Sequence, residues 1–211
     1  MINKPSIKVS TDGLFRQNIV LMSGLVTAPI IVAATTFEHA LILTLSFLLI
    51  SYTSILICRF IPRKIVYTVR ILLYAAVAAV MYIPTALLLH ALFPATTSEI
   101  SIYIAIIVVN SLLLAKTESR FYLMPYGEMA LDALIYVLGY AVAAFAVGMV
   151  REFLAFGSLF GLRVCDPIMP AAKTPFFGFI LLGILAAVCR AITTRRHRRT
   201  ERAEAIRKGA E

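Results

Sequence analysis

The chain has 211 residues, of which 61% are hydrophobic and 15% charged, with a formal net charge of +9. Soluble domains carry about 45–50% apolar and about 25% charged residues. A water-soluble domain of this size has no interior large enough for the excess, and a disordered chain would lack it, so the apolar surface must meet lipid.

Residues 1–18 form a polar leader that is expected to be a cytoplasmic N-terminal segment. Six apolar stretches follow: Ile19–Thr36, Ala40–Cys58, Ile65–Phe93, Ile100–Ala115, Met129–Val150 and Pro175–Ile192. A helix needs about 20 residues to cross about 30 Å of hydrocarbon. The second, fifth and sixth stretches fit that length, and the third is long enough to tilt, with Pro84 inside it. The first and fourth are short and interrupted. Ser23-Gly24-Leu25-Val26-Thr27-Ala28-Pro29 breaks the first, and Asn110-Ser111 breaks the fourth. The long leader and the span that follows at once exclude a signal peptide. Residues 195–211 read as a basic cytoplasmic tail anchored at the lipid surface, not as a nucleic-acid element.

With six spans, both termini lie on one side. That side collects Lys4, Lys8, Arg16, Arg59, Arg63, Lys64, Lys116, Arg120 and the tail cations, whereas the other side holds only Arg151, Arg163 and Lys173. Cytoplasmic loops carry the lysine and arginine excess, so both termini are expected in the cytoplasm. Arg70 is expected to snorkel to the interface from inside the third span.

The order short-and-broken, full, full occurs twice, in about 19–93 and about 100–194. Each half crosses three times, so the second would be inverted relative to the first. The expected fold class is therefore an all-α integral membrane protein with six transmembrane helices in two inverted three-helix repeats, spans 1 and 4 being broken at mid-membrane. Interrupted segments at matching places of two inverted halves point to a midplane site, here Gly24, Leu25, Val26, Thr27, Pro29, Asn110 and Ser111. An ordinary helix with a small-residue packing face of Ser23, Gly24 and Ala28 is the plainer reading of the first break.

Asp132, about one turn inside the fifth span, and Glu118, after the fourth, are the candidates for an ion path. Against this stand a hydrated carboxylate at a helix N-terminus for Asp132 and a mixed surface loop for Glu118. Arg151-Glu152 reads as a plain interfacial pair, although an arginine on the cation-poor side hints at a specific partner, and His39 and His90 read as interfacial residues. Cys58, Cys165 and Cys189 lie far apart with no CxxC spacing, so neither a zinc site nor a local disulfide is indicated. No HExxH, P-loop, GxSxG or Gly-rich dinucleotide motif is present, and no catalytic residue is assigned.

The stretch Ile107-Val108-Val109-Asn110-Ser111 through Glu118, then Ala130-Leu131-Asp132, then Gly148-Met149-Val150-Arg151-Glu152-Phe153-Leu154 and Gly157-Ser158-Leu159-Phe160-Gly161, resembles a family of small six-span subunits. That family includes the Rnf E component of the ion-translocating ferredoxin–NAD oxidoreductase and the Nqr D component of the sodium-pumping NADH–quinone reductase. The resemblance runs from Gly13 to the basic tail. It implies a multi-pass subunit of a bacterial or archaeal cytoplasmic (inner) membrane complex coupling electron transfer to Na⁺ or H⁺ movement. The implied partners are a homologous, oppositely oriented six-span subunit (the Rnf A or Nqr E type) and flavin-bearing subunits, besides membrane lipid. It also implies a 2Fe-2S cluster shared with that partner through one cysteine in each broken helix. Those cysteine positions are Val26 and Ser111 here, so the cluster does not transfer. No cofactor is expected on this chain alone, and flavins are expected on partners. The alternative expectation is an autonomous small-solute or ion transporter with the same inverted repeat.

Overall fold

A computed structural model describes residues 18–110 and 116–208, the last thirteen of these by backbone only. Helix dominates. In chain order the elements are α1 (Thr27–Ala33), α2 (Phe37–Cys58), α3 (Tyr67–Leu92), α4 (Pro94–Val109), α5 (Tyr126–Phe156) and α6 (Pro175–Lys208). A small antiparallel hairpin follows α5, with β1 (Ser158–Leu159) pairing β2 (Leu162–Arg163) in the register Ser158 to Arg163 and Leu159 to Leu162.

Among the described residues, four helices are long and apolar enough to cross a membrane: α2, α3, α5 and the first part of α6, Pro175–Arg195. The first and fourth apolar stretches differ from the expected spans. Ile19–Thr36 is helical only over Thr27–Ala33. The fourth starts earlier than expected, at Pro94, where a proline suits the first helical turn, and stops at Val109. Residues 1–17 and 111–115, which hold most of the expected N-terminal segment and Ser111, lie outside the described residues. The last helix runs past residue 194 into the basic tail without interruption.

The centre of the molecule is the α2–α5 pair. Phe47 stacks on Tyr140 at 4.1 Å and Phe37 on Phe145 at 5.1 Å between ring centroids. Close approach depends on a missing side chain, because a Cβ at Gly148 would stand 2.8 Å from the Thr36 carbonyl oxygen and 2.9 Å from the Ala40 Cβ. Gly178 does the same for α6 against α1, where a Cβ would collide with the Ile31 carbonyl oxygen. In lipid no hydrophobic gain drives helices together, so small residues that admit close van der Waals packing take over that role. By contrast α3 and α6 turn most of their apolar side chains outward, Leu72, Val80, Leu87, Phe179 and Ile184 among them.

Two ends can be told apart by contacts. At one, Arg59 donates to the carbonyls of Tyr122 and Met124, joining the end of α2 to the approach to α5. At the other, Arg151 near the end of α5 reaches the carbonyls of Lys173 and Thr174, just before α6. They are called the Arg59 end and the Arg151 end below.

Candidate functional site: two helix breaks and two ion pairs

The first break is built by Asn18. Its Oδ1 accepts from the backbone N–H groups of Val20 (2.9 Å) and Leu21 (3.0 Å), and its Nδ2 donates to the Gly139 carbonyl (2.8 Å) near the middle of α5. The buried amide thus ends local turns on one side and ties them to a long helix on the other. The chain then passes through left-handed backbone at Gly24 (φ 66°) and Val26 (φ 55°) before α1 begins at Thr27. Glycine adopts that conformation freely, but a β-branched valine there is a genuine outlier. Pro29 sits in the first turn of α1, where its missing N–H costs nothing. Leu25, Val26 and Thr27 are half-buried, whereas Ser23, Gly24 and Ala28 are exposed.

The second break is built by Asn110. The end of α4 tightens into a 3-10 turn over Ile107–Val109, and Asn110 then goes extended (φ −91°, ψ 142°). Its Nδ2 donates to the Ile107 carbonyl (2.8 Å) and to the Ser51 Oγ (2.9 Å). Ser51 lies in a π-turn of α2, Leu48–Tyr52, where the regular ladder is loosened. Such turns recur at functional sites. Both breaks are therefore pinned by a buried asparagine to the middle of a long helix, one to α5 and one to α2. α1 and α4 approach from the Arg151 end: Arg151 binds the Ile31 and Ala34 carbonyls at the end of α1, and Thr96 in the first turn of α4 bonds Glu38.

The two ion-path candidates are brought to the Arg59 end, each against an arginine. Arg70 clasps Glu118 with two bonds of 2.8 Å, and the Tyr74 hydroxyl adds a third at 2.5 Å. The Tyr74 oxygen also lies 3.2 Å from the Tyr122 hydroxyl, which donates to the Cys58 carbonyl (2.9 Å). The remaining Arg70 donors reach the carbonyls of Arg63 and Ile65, in the loop before α3. Burial pushes the Glu118 carboxyl up, but the bonds from Tyr74 and Arg70 and the charges of Arg70 and Arg63 hold it below its ordinary value. Asp132 is 1% exposed and is held by Arg120 at 2.6 and 3.0 Å. Close by, Lys116 lies over the Tyr136 ring at 5.2 Å. Burial, and then the Arg120 charge, lower the Lys116 pKa against the opposing pull of Asp132.

Sequence reasoning missed several parts. Tyr74 and Tyr122 read only as members of apolar or aromatic runs. Arg151-Glu152 is not an interfacial pair: both side chains are buried and each serves a different loop. The arginine on the cation-poor side hints at a specific partner, and that partner is the set of backbone carbonyls around the end of α1 and the turn before α6. Asn18, a polar residue at the border of an apolar run, was the signal for the first break.

For a shared iron–sulfur cluster the fit fails at the first break. The resemblance implies a thiolate ligand at position 26, and Val26 has a hydrocarbon side chain that holds no iron. Cys58 ends α2, Cys165 lies in the loop after the hairpin and Cys189 in α6. Among the described residues, no three His, Cys, Asp or Glu side chains are grouped to hold a metal ion.

Comparison with known proteins adds a family. The model of the Rnf-Nqr subunit family, described as a membrane protein, matches residues 6–186. Three similar proteins are the D subunits of the Na(+)-translocating NADH-quinone reductases of Yersinia enterocolitica serotype O:8 / biotype 1B, Yersinia pestis (strain Pestoides F) and Yersinia pseudotuberculosis serotype O:1b (strain IP 31758). Each is 27% identical over 161 residues, covering 76% of this chain and 77% of the relative.

Proposed function

Because this chain belongs to the Rnf-Nqr family of membrane subunits, we propose that it is a subunit of an Rnf-like or Nqr-like complex that couples electron transfer to Na⁺ or H⁺ translocation. In that complex it acts as scaffold or ion path and supplies no iron–sulfur ligand from its first break. The observation that carries this reading is the pair of helix breaks, each pinned by a buried asparagine to the middle of a long apolar helix. Non-helical backbone at membrane depth is tolerated only where protein covers it or water reaches it. The two breaks would then lie at the midplane, as the two short members of inverted three-helix repeats.

The exposed Ser23, Gly24 and Ala28 at the first break support a protein neighbour, since turn backbone facing lipid would leave polar groups unsatisfied. A homologous subunit of opposite orientation fits that place, with flavin-bearing subunits beyond it. Arg59, Arg63, Lys116 and Arg120 share one end, which supports a cytoplasmic placement of that end and of both termini in the inner membrane. Glu118 and Asp132 stand at that same end as candidate residues of the ion path. A cation using either carboxylate has to compete with the arginine already holding it.

The test is mild detergent purification of the tagged chain from its native membrane, followed by mass spectrometry and iron analysis. Recovery with an oppositely oriented six-span homologue and flavoprotein subunits is the expected result. Recovery alone as a stable oligomer that transports ions in liposomes would replace this reading with the autonomous transporter. Iron at the level of one cluster per pair of homologous subunits would overturn the absence of ligation.

A further inference from the structure

At the Arg151 end, away from both breaks, the α1–α2 turn, the first turns of α2 and α4, the end of α5 and the turn before α6 line an open cavity of about 510 Å³. That volume is within the usual range for small-ligand sites, about 300–1,000 Å³. Its lining is chemically mixed: the carboxylates of Glu38 and Glu99, the ammonium of Lys173, the His39 ring, the Thr96 hydroxyl and the Phe156 ring. The carboxylates come from different helices, and each is oriented by a neighbour on the other one. Thr96 on α4 donates to Glu38 Oε1 at 2.6 Å, and His39 Nε2 on α2 lies 3.3 Å from Glu99 Oε2. The other His39 nitrogen, Nδ1, is fixed at 2.6 Å from the Thr35 hydroxyl. Groups held this way lose little freedom when a ligand arrives.

The occupant must satisfy both signs of charge. A divalent cation does not, because it leaves Lys173 opposed, and no metal-holding group of three side chains is present among the described residues. A choline headgroup does not, because it has no N–H to donate and Phe156 is a single ring rather than an aromatic cage. A primary ammonium joined to a phosphodiester does: the ammonium has three donors for Glu38 and Glu99, and the phosphate meets Lys173. Exposed apolar side chains flank the cavity, as the acyl chains of a lipid would require. The first turns of membrane-crossing helices stand at headgroup depth, and Phe156 on the rim, Leu92 just before α4 and Phe176 just after Lys173 are 43%, 59% and 74% exposed. We infer that this cavity is a headgroup site for an aminophospholipid, selective for phosphatidylethanolamine.

The test is native mass spectrometry of the full-length chain with whatever subunits it retains, titrated with phosphatidylethanolamine, phosphatidylcholine and phosphatidylglycerol of identical acyl chains. The ethanolamine lipid is expected to bind at about tenfold lower concentration than the other two, the size of one charged hydrogen bond. In the Glu38→Gln/Glu99→Gln variant that preference disappears while general lipid adducts persist. Lys173→Gln weakens all three lipids, since they share the phosphodiester. Soluble glycerophosphoethanolamine tells a free headgroup from a lipid: competition shows that the headgroup alone suffices, and its absence with the preference intact shows that the chains are needed. Equal affinity for the ethanolamine and choline lipids, or an unchanged preference in the double glutamine variant, overturns the inference. Glu38 and Glu99 are exposed, so the double variant is expected to melt with the wild type, which keeps a negative result interpretable.

Discussion

Arg151 and Glu152 are adjacent in sequence, both buried, and use their charges on different partners. The Arg151 guanidinium donates to five backbone carbonyls: Ala172 (3.0 Å), Ile31 (2.8 Å), Ala34 (3.1 Å), Lys173 (2.8 Å) and Thr174 (3.3 Å). Glu152 accepts from the N–H groups of Phe37 (2.7 Å) and Gly161 (2.8 Å) and from the Ser158 hydroxyl (3.2 Å). One residue fastens the end of α1 to the turn before α6. The other fastens the start of α2 to the hairpin after α5. Together they close the Arg151 end around the exit from the first break.

Arg151→Met is expected to lower stability by about 2–5 kcal/mol, because it removes the donor to five carbonyls, three of them in buried contacts. Arg151→Lys recovers only a minor part, since a compact ammonium with three donors cannot span the planar fork. Thermal melting of the purified chain in one detergent gives both values. A lysine variant as stable as the wild type would show that charge, not the fork, matters.

The Glu118 carboxyl is held below its ordinary value, which fixes a sign for pH dependence. A depressed carboxyl binds fewer protons folded than unfolded. Its stabilisation is therefore complete above the ordinary glutamate value, about 4.3, and is lost as pH falls through the lower folded value. Glu118→Gln is expected to be less stable than the wild type at pH 7, and the gap is expected to close as pH falls below about 4. Melting curves of both proteins between pH 7 and pH 3 test it. A gap that stays constant would mean that the amide loses shape or packing rather than charge.

The aspartate at 132 and the arginine at 120 invite a double-mutant cycle. Asp132→Asn strands a guanidinium and Arg120→Gln strands a carboxylate that is 1% exposed. Each single change is expected to cost more than the pair together, with a coupling energy of about 1–3 kcal/mol. Additive losses would show that the contact contributes nothing beyond its two separate environments.

What the sequence discloses and what it hides divide along physical lines. Hydropathy and length are local, so the helices that became α2, α3, α5 and α6 are legible, as is the interruption at Gly24 and at Asn110. The left-handed Gly24 is also a local matter. The partners are not. Asn18 meets Gly139, Arg70 meets Glu118 and Asn110 meets Ser51 across 121, 48 and 59 positions of chain. No periodicity encodes which helix a polar side chain will find. The same applies to the first apolar stretch, where the interruption at Gly24–Pro29 is legible but the buried Asn18 amide that fastens it to α5 is not.

The first break itself gives a backbone prediction. Gly24 is left-handed with nothing within 4 Å of where a Cβ would sit, so Gly24→Ala tests conformation alone. It is expected to cost about 1 kcal/mol. At Val26, also left-handed, Val26→Gly removes a comparable strain but adds chain entropy and loses the contacts of a half-buried side chain, so the variant is expected to be less stable by about 1 kcal/mol. Val26→Cys keeps the strain and is expected to melt with the wild type and to bring no iron. Iron in that single variant would show that a partner already holds the remaining ligands.

Helix packing can be tested against helix propensity with three glycines. Gly148, Gly127 and Gly183 all lie within helices; replacing Gly148 or Gly183 by alanine gains an intrinsic term of about 1 kcal/mol, and Gly127, in the first turn of α5, gains less. Gly127 and Gly183 have nothing within 4 Å of an added Cβ, and their alanine variants are expected to be more stable by up to that amount. At Gly148 the same methyl meets the backbone of Thr36 and the Cβ of Ala40, neither of which can swing aside. α2 and α5 must then separate, Phe47 loses its seat on Tyr140, and overpacking of about 1–3 kcal/mol outweighs the propensity gain. Gly148→Ala is therefore expected to lower the melting temperature while the other two raise it. Should all three rise together, α2 and α5 do not touch as closely as the Phe37–Phe145 and Phe47–Tyr140 stacks require, and the support on which both asparagine pins rest would have to be rebuilt.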